Sequence, residues 1–221
     1  MAHTYDTKAV FAYANTPTTD QITYTCGVGA TLLVLDIVVD GTTGRAGGSP
    51  TYNGVAFTAS AAGEQLASET ITECWYYLNP PCNVALKISI PNTGTAKYIT
   101  AVASSYKAGA QMVSVLHQGY GRIATQDNPA GTAHTSLVAG MIIIAAVGTS
   151  PNAFAPSAQT GTTLDTTYDQ GSYGAGFQYF ITTGTGDVTM SWTFAANPDP
   201  NSGVCSCVFK EQRRRMAVTH V

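Results

Sequence analysis

The chain has 221 residues, of which only 10% are charged and 44% are hydrophobic, with a formal net charge of -3. An ordinary soluble domain carries about 25% charged residues. This composition excludes intrinsic disorder, which needs low hydrophobicity and high charge, and a long-helix protein, which needs Lys, Glu and Arg to clothe its exposed faces.

Short apolar or alternating runs, rich in β-branched and aromatic residues, recur along the chain between turn residues. They predict strands over 8–14, 21–26, 31–39, 51–52, 55–59, 70–78, 84–90 and 97–106. Further strands are predicted over 112–117, 135–138, 141–148, 163–168, 176–183, 188–195 and 204–210. Asn53-Gly54, between Thr51-Tyr52 and Val55-Ala56, predicts a type I′ hairpin, because both residues tolerate positive φ. Asn79-Pro80-Pro81 and Asn197-Pro198-Asp199-Pro200 are strong breakers. The one helical candidate is 59–68, where a loop fits as well. The runs at 32–39 and 141–147 are almost wholly apolar, so they are expected to be covered on both faces or to pack on a neighbouring subunit. No linker and no fixed-period repeat divides the chain. The expectation is all-β: a single jelly-roll-like antiparallel β-sandwich over 21–210. An N-terminal arm or first strand (1–20) precedes it and a basic C-terminal tail (211–221) follows.

The residues offer little chemistry of their own. Five cysteines cannot pair completely and show no short-loop framework. The first residues lack the basic and apolar regions of a signal peptide, and the apolar run 137–147 is too short to span a bilayer. His117 and His134 are read as strand-end or loop residues, and no nucleophile elbow is present. Asp36 in its apolar run is the least ordinary acid, and Asp36 with Glu69 or Glu73 is the only glycosidase-like pairing to weigh. Cys205-Ser206-Cys207 lacks zinc spacing, Asp165 and Asp169 lack EF-hand spacing, and neither a metal nor a cofactor is expected. Trp75 and Trp192 are read first as core. If exposed, they would form a glycan-stacking platform. Arg213, Arg214 and Arg215 project past the last strand and are the candidate contacts for an acidic partner. Three arginines alone do not make a nucleic-acid site.

Four stretches together resemble a known family. They are Thr-Leu-Leu-Val-Leu-Asp-Ile-Val-Val at 31–39, Pro-Thr-Tyr-Asn-Gly-Val-Ala-Phe-Thr at 50–58, Cys-Trp-Tyr-Tyr-Leu-Asn-Pro-Pro at 74–81, and Ile-Thr-Ala-Val-Ala-Ser-Ser-Tyr at 99–106. This pattern looks like a β-sandwich domain of tailed-bacteriophage structural proteins. It departs at Cys82 and Asn83, where that family more often has a small residue and Gly. The resemblance implies a non-enzymatic virion component assembled in the host cytoplasm. Its expected role is a capsid decoration (cement) protein, with a tail or fibre subunit or a carbohydrate-binding module as the alternatives. Its expected partners are the major capsid protein or other virion proteins and further copies of itself, with neither nucleic acid nor membrane.

Overall fold

The computed structural model describes residues 3–14, 20–40, 48–62, 70–92, 98–107, 113–122, 130–149, 157–158, 163–169, 174–193 and 203–211. The first half contributes β1 (Thr4–Ala14), β2 (Asp20–Thr25), β3 (Leu32–Asp40), β4 (Thr51–Tyr52), β5 (Val55–Ala56), β6 (Thr58–Ala62), β7 (Thr70–Leu78), β8 (Ala85–Ile90) and β9 (Tyr98–Lys107). The second contributes β10 (Val113–Arg122), β11 (Ala130–Leu137), β12 (Ile142–Thr149), β13 (Ser157–Ala158), β14 (Thr163–Asp169), β15 (Gly174–Ile181), β16 (Gly186–Thr193) and β17 (Gly203–Glu211). Among the described residues every regular element is a strand, and every strand pair is antiparallel.

The all-β expectation therefore holds, but the strands form four sheets, and their order repeats. The first half builds sheets β1-β9-β3-β7-β6 and β2-β8-β4-β5; the second builds β10-β17-β12-β15-β14 and β11-β16-β13. Strand for strand, β1, β2, β3, β7, β8 and β9 correspond to β10, β11, β12, β15, β16 and β17. Register confirms the match. Leu32 lies opposite Tyr106 and Leu78, and Ile142 lies opposite Phe209 and Ile181. This duplication is hidden in the sequence because equivalent positions keep their character rather than their identity: Val34 and Ile144, Ile88 and Met190, Ile90 and Trp192.

The sheets stack in four layers, with three apolar cores between them. Leu32, Val34, Val38, Val102 and Tyr106 of the first half meet Ile142, Ile144, Ala146, Phe177 and Phe209 of the second. The opposite face of the β3 sheet (Leu33, Leu35, Ile37, Val39) packs on Tyr24, Tyr52, Ile88 and Ile90. The opposite face of the β12 sheet (Ile143, Ala145, Val147) packs on Leu137, Met190 and Trp192. Both inner sheets are thus covered on both faces, which is why β3 and β12 lost the period-2 alternation of a half-exposed strand. Aromatic contacts obey the same symmetry. Tyr76 meets Phe209 at 5.6 Å between ring centroids, and Tyr179 meets Tyr106 at 6.0 Å.

Three local expectations have definite outcomes. Asn53 and Gly54 take φ of 51° and 80°, as a type I′ turn requires. The segment weighed as a helix begins instead as β6, and residues 63–69 lie outside the described set. Thr4–Ala14 is an edge strand paired along β9 rather than a free arm.

With one tryptophan in each half, Trp75→Phe and Trp192→Phe make each half report separately. Because the halves share a core, both single-tryptophan proteins should melt at one common midpoint. Ile144→Ala, in the shared layer, should lower both by about 2–5 kcal/mol. Separated fluorescence transitions would show that the halves unfold independently.

Candidate functional site

Asp6 is held by three donors. It lies on β1 next to a register shift between Tyr5 and Thr7. Its Oδ2 accepts from the Gly27 backbone N–H at 2.7 Å and from the Ser105 hydroxyl at 2.7 Å, and its Oδ1 is 2.9 Å from Lys107 Nζ. Burial alone would raise the carboxyl pKa, but donors from Lys107, Ser105 and Gly27 outweigh it and hold the group below its ordinary 3.8. A Cβ at Gly27 would overlap this carboxylate, so only glycine lets the loop approach so closely. The Tyr24 hydroxyl lies 2.7 Å from the Thr7 carbonyl oxygen and 3.0 Å from Ser105 Oγ, closing the knot from β2.

This knot anchors one end of the first half, where three connections are bound together. Asn83 N–H donates to the Cys26 carbonyl at 2.8 Å, and Asn53 N–H donates to the Lys87 carbonyl at 2.8 Å. Asn79 and Asn83 bracket the Pro80-Pro81 turn with φ of 50° and 58°. Asn83 thus adopts the left-handed conformation, which Asn tolerates better than most residues other than Gly. Val28 and Val84 stand on these braced loops and Val55 opens β5 directly after the Asn53-Gly54 turn, at 69%, 44% and 53% exposure. The equivalent turn of the second half exposes Val138.

The residues singled out from sequence separate sharply. Trp192 is completely buried and offers no stacking face to a glycan. Trp75 is half-buried against the first-half core, and its indole N–H donates to Glu73 Oε2 at 2.6 Å. Asp36 pairs in register with Cys74, whereas Glu73 pairs with Ile37, so the two acids face opposite sides of one sheet and cannot act on one substrate. His134 Nε2 lies 2.7 Å from Ser206 Oγ, but both residues are buried, at 2% and 0% exposure, beyond reach of a dissolved substrate. Cys205 and Cys207 are buried core residues. Arg213, Arg214, Arg215 and Glu69 lie outside the described residues, as do the side chains of His117, Asp165 and Asp169.

An open hollow of about 240 Å³ lies beside the β15–β16 turn, lined by Leu137, Phe180, Thr182 and Asp187 among others. Its one acid, Asp187, accepts from the Ser136 backbone N–H at 2.9 Å, which makes it a turn-fixing group. Among the described residues no cluster of three or more His, Cys, Asp or Glu is placed to hold a metal ion, and no helix is long and apolar enough to cross a membrane. Comparison with protein-family models, with curated proteins and with solved structures finds no match.

The exposed valines and the Asp6 knot were not singled out from sequence. A lone valine beside a turn is an ordinary residue in the sequence, and its exposure is a property of the fold.

Asp6 binds its proton less tightly when folded than when unfolded. Its contribution is therefore complete above about pH 5 and is lost as pH falls through the lowered folded value. Asp6→Asn should cost about 1–2 kcal/mol at neutral pH. In denaturant melts, the gap between wild type and variant should narrow steadily from pH 5 to pH 2. A gap independent of pH would show that the carboxylate charge is not what binds the Gly27 loop.

Proposed function

We propose that the chain is a non-enzymatic structural protein of a tailed-bacteriophage virion, a capsid decoration protein that binds the major capsid protein and further copies of itself. The single observation that carries this reading is the braced loop end, where Val28, Val55 and Val84 are held out on backbone already fixed by hydrogen bonds. Apolar side chains presented on rigid loops gain from being covered and lose little entropy when they are. Three further features support it. The four sequence stretches resemble such proteins. Sparse charge lowers the desolvation cost of close subunit packing. The strand order, with β1, β9, β3 and β7 in one sheet over β2, β8, β4 and β5 in the other, supports a jelly-roll reading, an architecture found in viral capsids and also in lectins. The lectin-like alternative is the weaker reading, because Trp192 is enclosed and the Trp75 N–H is already engaged.

In this role the protein works mechanically: it buries area across capsomer boundaries and so raises the cost of separating them. The double substitution Val28→Glu with Val84→Glu should leave the melting temperature within a few degrees of wild type. It should weaken binding to undecorated particles by about tenfold or more. Particles lacking the protein should lose thermal and osmotic resistance and regain it when wild-type protein is added back. Unchanged particle resistance would remove the cementing role, and label found on tails rather than shells would make this a tail or fibre subunit.

A further inference from the structure

The layer shared by the two halves contains three thiols, Cys74 on β7 and Cys205 and Cys207 on β17, each at most 1% exposed. Cys74 Sγ lies 2.8 Å from Cys207 Sγ. Unbonded carbon atoms keep roughly 3.5–4.0 Å apart, and sulfur is larger than carbon, so these sulfurs are closer than simple contact. A disulfide would bring them to about 2.05 Å, less than an ångström further. The two residues come from different halves and are 133 positions apart. The other neighbouring thiols behave differently. Cys26 and Cys82 are joined only through their backbones, in an isolated parallel β-bridge within the first half, and the Cys82 thiol reaches the Pro80 and Ala30 carbonyls.

We propose that Cys74 and Cys207 form a disulfide that staples the two halves together, made when the folding chain meets a small-molecule disulfide before the inner sheets close. One thiolate attacks the disulfide reagent, giving a mixed disulfide and releasing one reagent thiolate. The second cysteine attacks that mixed disulfide at the protein sulfur and releases the other. Two protein thiols lose two electrons and two protons, and one molecule of oxidised glutathione becomes two of reduced glutathione.

The order of events follows from burial. In the closed stack, burial pushes the Cys74 and Cys205 thiols well above their ordinary pKa, and the Asp36 carboxylate adds to the shift. Cys74 and Cys207 are at most 1% exposed, so a reagent cannot reach either sulfur while the stack is closed. Oxidation has to precede closure or await an opening of the shared layer, and reduction of the finished bond is shielded in the same way. Cys205, two residues along the same strand and in the same cluster, is the thiol left over.

The test is to refold the reduced chain from denaturant in a glutathione redox buffer, quench with an alkylating reagent, and map peptides by mass spectrometry. The expected product joins the Cys74 and Cys207 peptides with loss of two hydrogens, and the melting temperature rises by about 5–15 °C. Oxidised glutathione added to the already folded protein should give the same product at least about tenfold more slowly. Cys207→Ser should abolish both product and rise; should it fail to fold, the wild-type map alone decides. Recovery of both cysteines alkylated after oxidative refolding, or Cys74 joined to Cys205 instead, would overturn the proposal. Equally fast oxidation of the folded protein would overturn the requirement for an open layer.

Discussion

The constraint on which the structure depends is the burial of two sheets on both faces. A sheet packed on one side can alternate apolar and polar residues; β3 and β12 cannot, because each face meets another layer. Polar atoms that enter this stack need partners. Ser60 Oγ donates to the Cys74 carbonyl at 2.9 Å, and Gln178 Nε2 donates to the Ser191 carbonyl at 3.0 Å. Without such bonds each buried polar group would cost about 1–3 kcal/mol. The outer sheets, β2-β8-β4-β5 and β11-β16-β13, act as lids, and outward-facing residues such as Thr23, Lys87, Thr135 and Thr189 are exposed.

That stack also determines where function can lie. With the inner sheets sealed, the accessible features of the first half are its outer sheet and its loop ends. The Asp6 knot ties β1, β9 and the Gly27 turn to a single carboxylate, and Tyr24 of β2 joins it through the Thr7 carbonyl and the Ser105 hydroxyl. Trp192 is core, as its first reading from sequence had it, and Asp36 and His134, the other groups weighed for chemistry, are also enclosed in the layers. Asp36 lies in the shared core, His134 is paired with Ser206, and Trp192 lies against the second inner sheet. Among the described residues, these groups are enclosed while Val28, Val55 and Val84 stand exposed, and that contrast is what the proposed contact role rests on.

Much of this fold was legible in the sequence because strand signals are local. The run at 70–78 and the Asn53-Gly54 turn appear as read, since alternation and positive-φ tolerance belong to a few adjacent residues. The apolar runs of β3 and β12 correctly announced cover on both faces, but not that each would cover the other. The duplication was illegible for a related reason. A sheet needs an apolar side chain of roughly the right size at Val34 or Ile144, and it does not specify which. The two-residue strand β13 was missed because it is too short to show any period. The Asp6 knot was equally hidden, since its donors are separated from it by 21 and 99 residues.

The two copies have diverged most tellingly in the layer they share. At equivalent positions the first half carries Val102 and Ser104 where the second carries Cys205 and Cys207, and Phe177 stands where the first half has Cys74. Packing alone needs only small apolar groups at the cysteine positions, and Val or Ala would serve without a reactive atom. The substitutions nevertheless fall so that one cysteine of the first half meets one of the second across the seam. A seam held by side-chain packing can be opened wherever its edges fray, whereas a seam also joined by one central bond must open around a fixed point. For a stack whose two halves repeat one winding, that fixed point would preserve their alignment when force is applied to the outer loops.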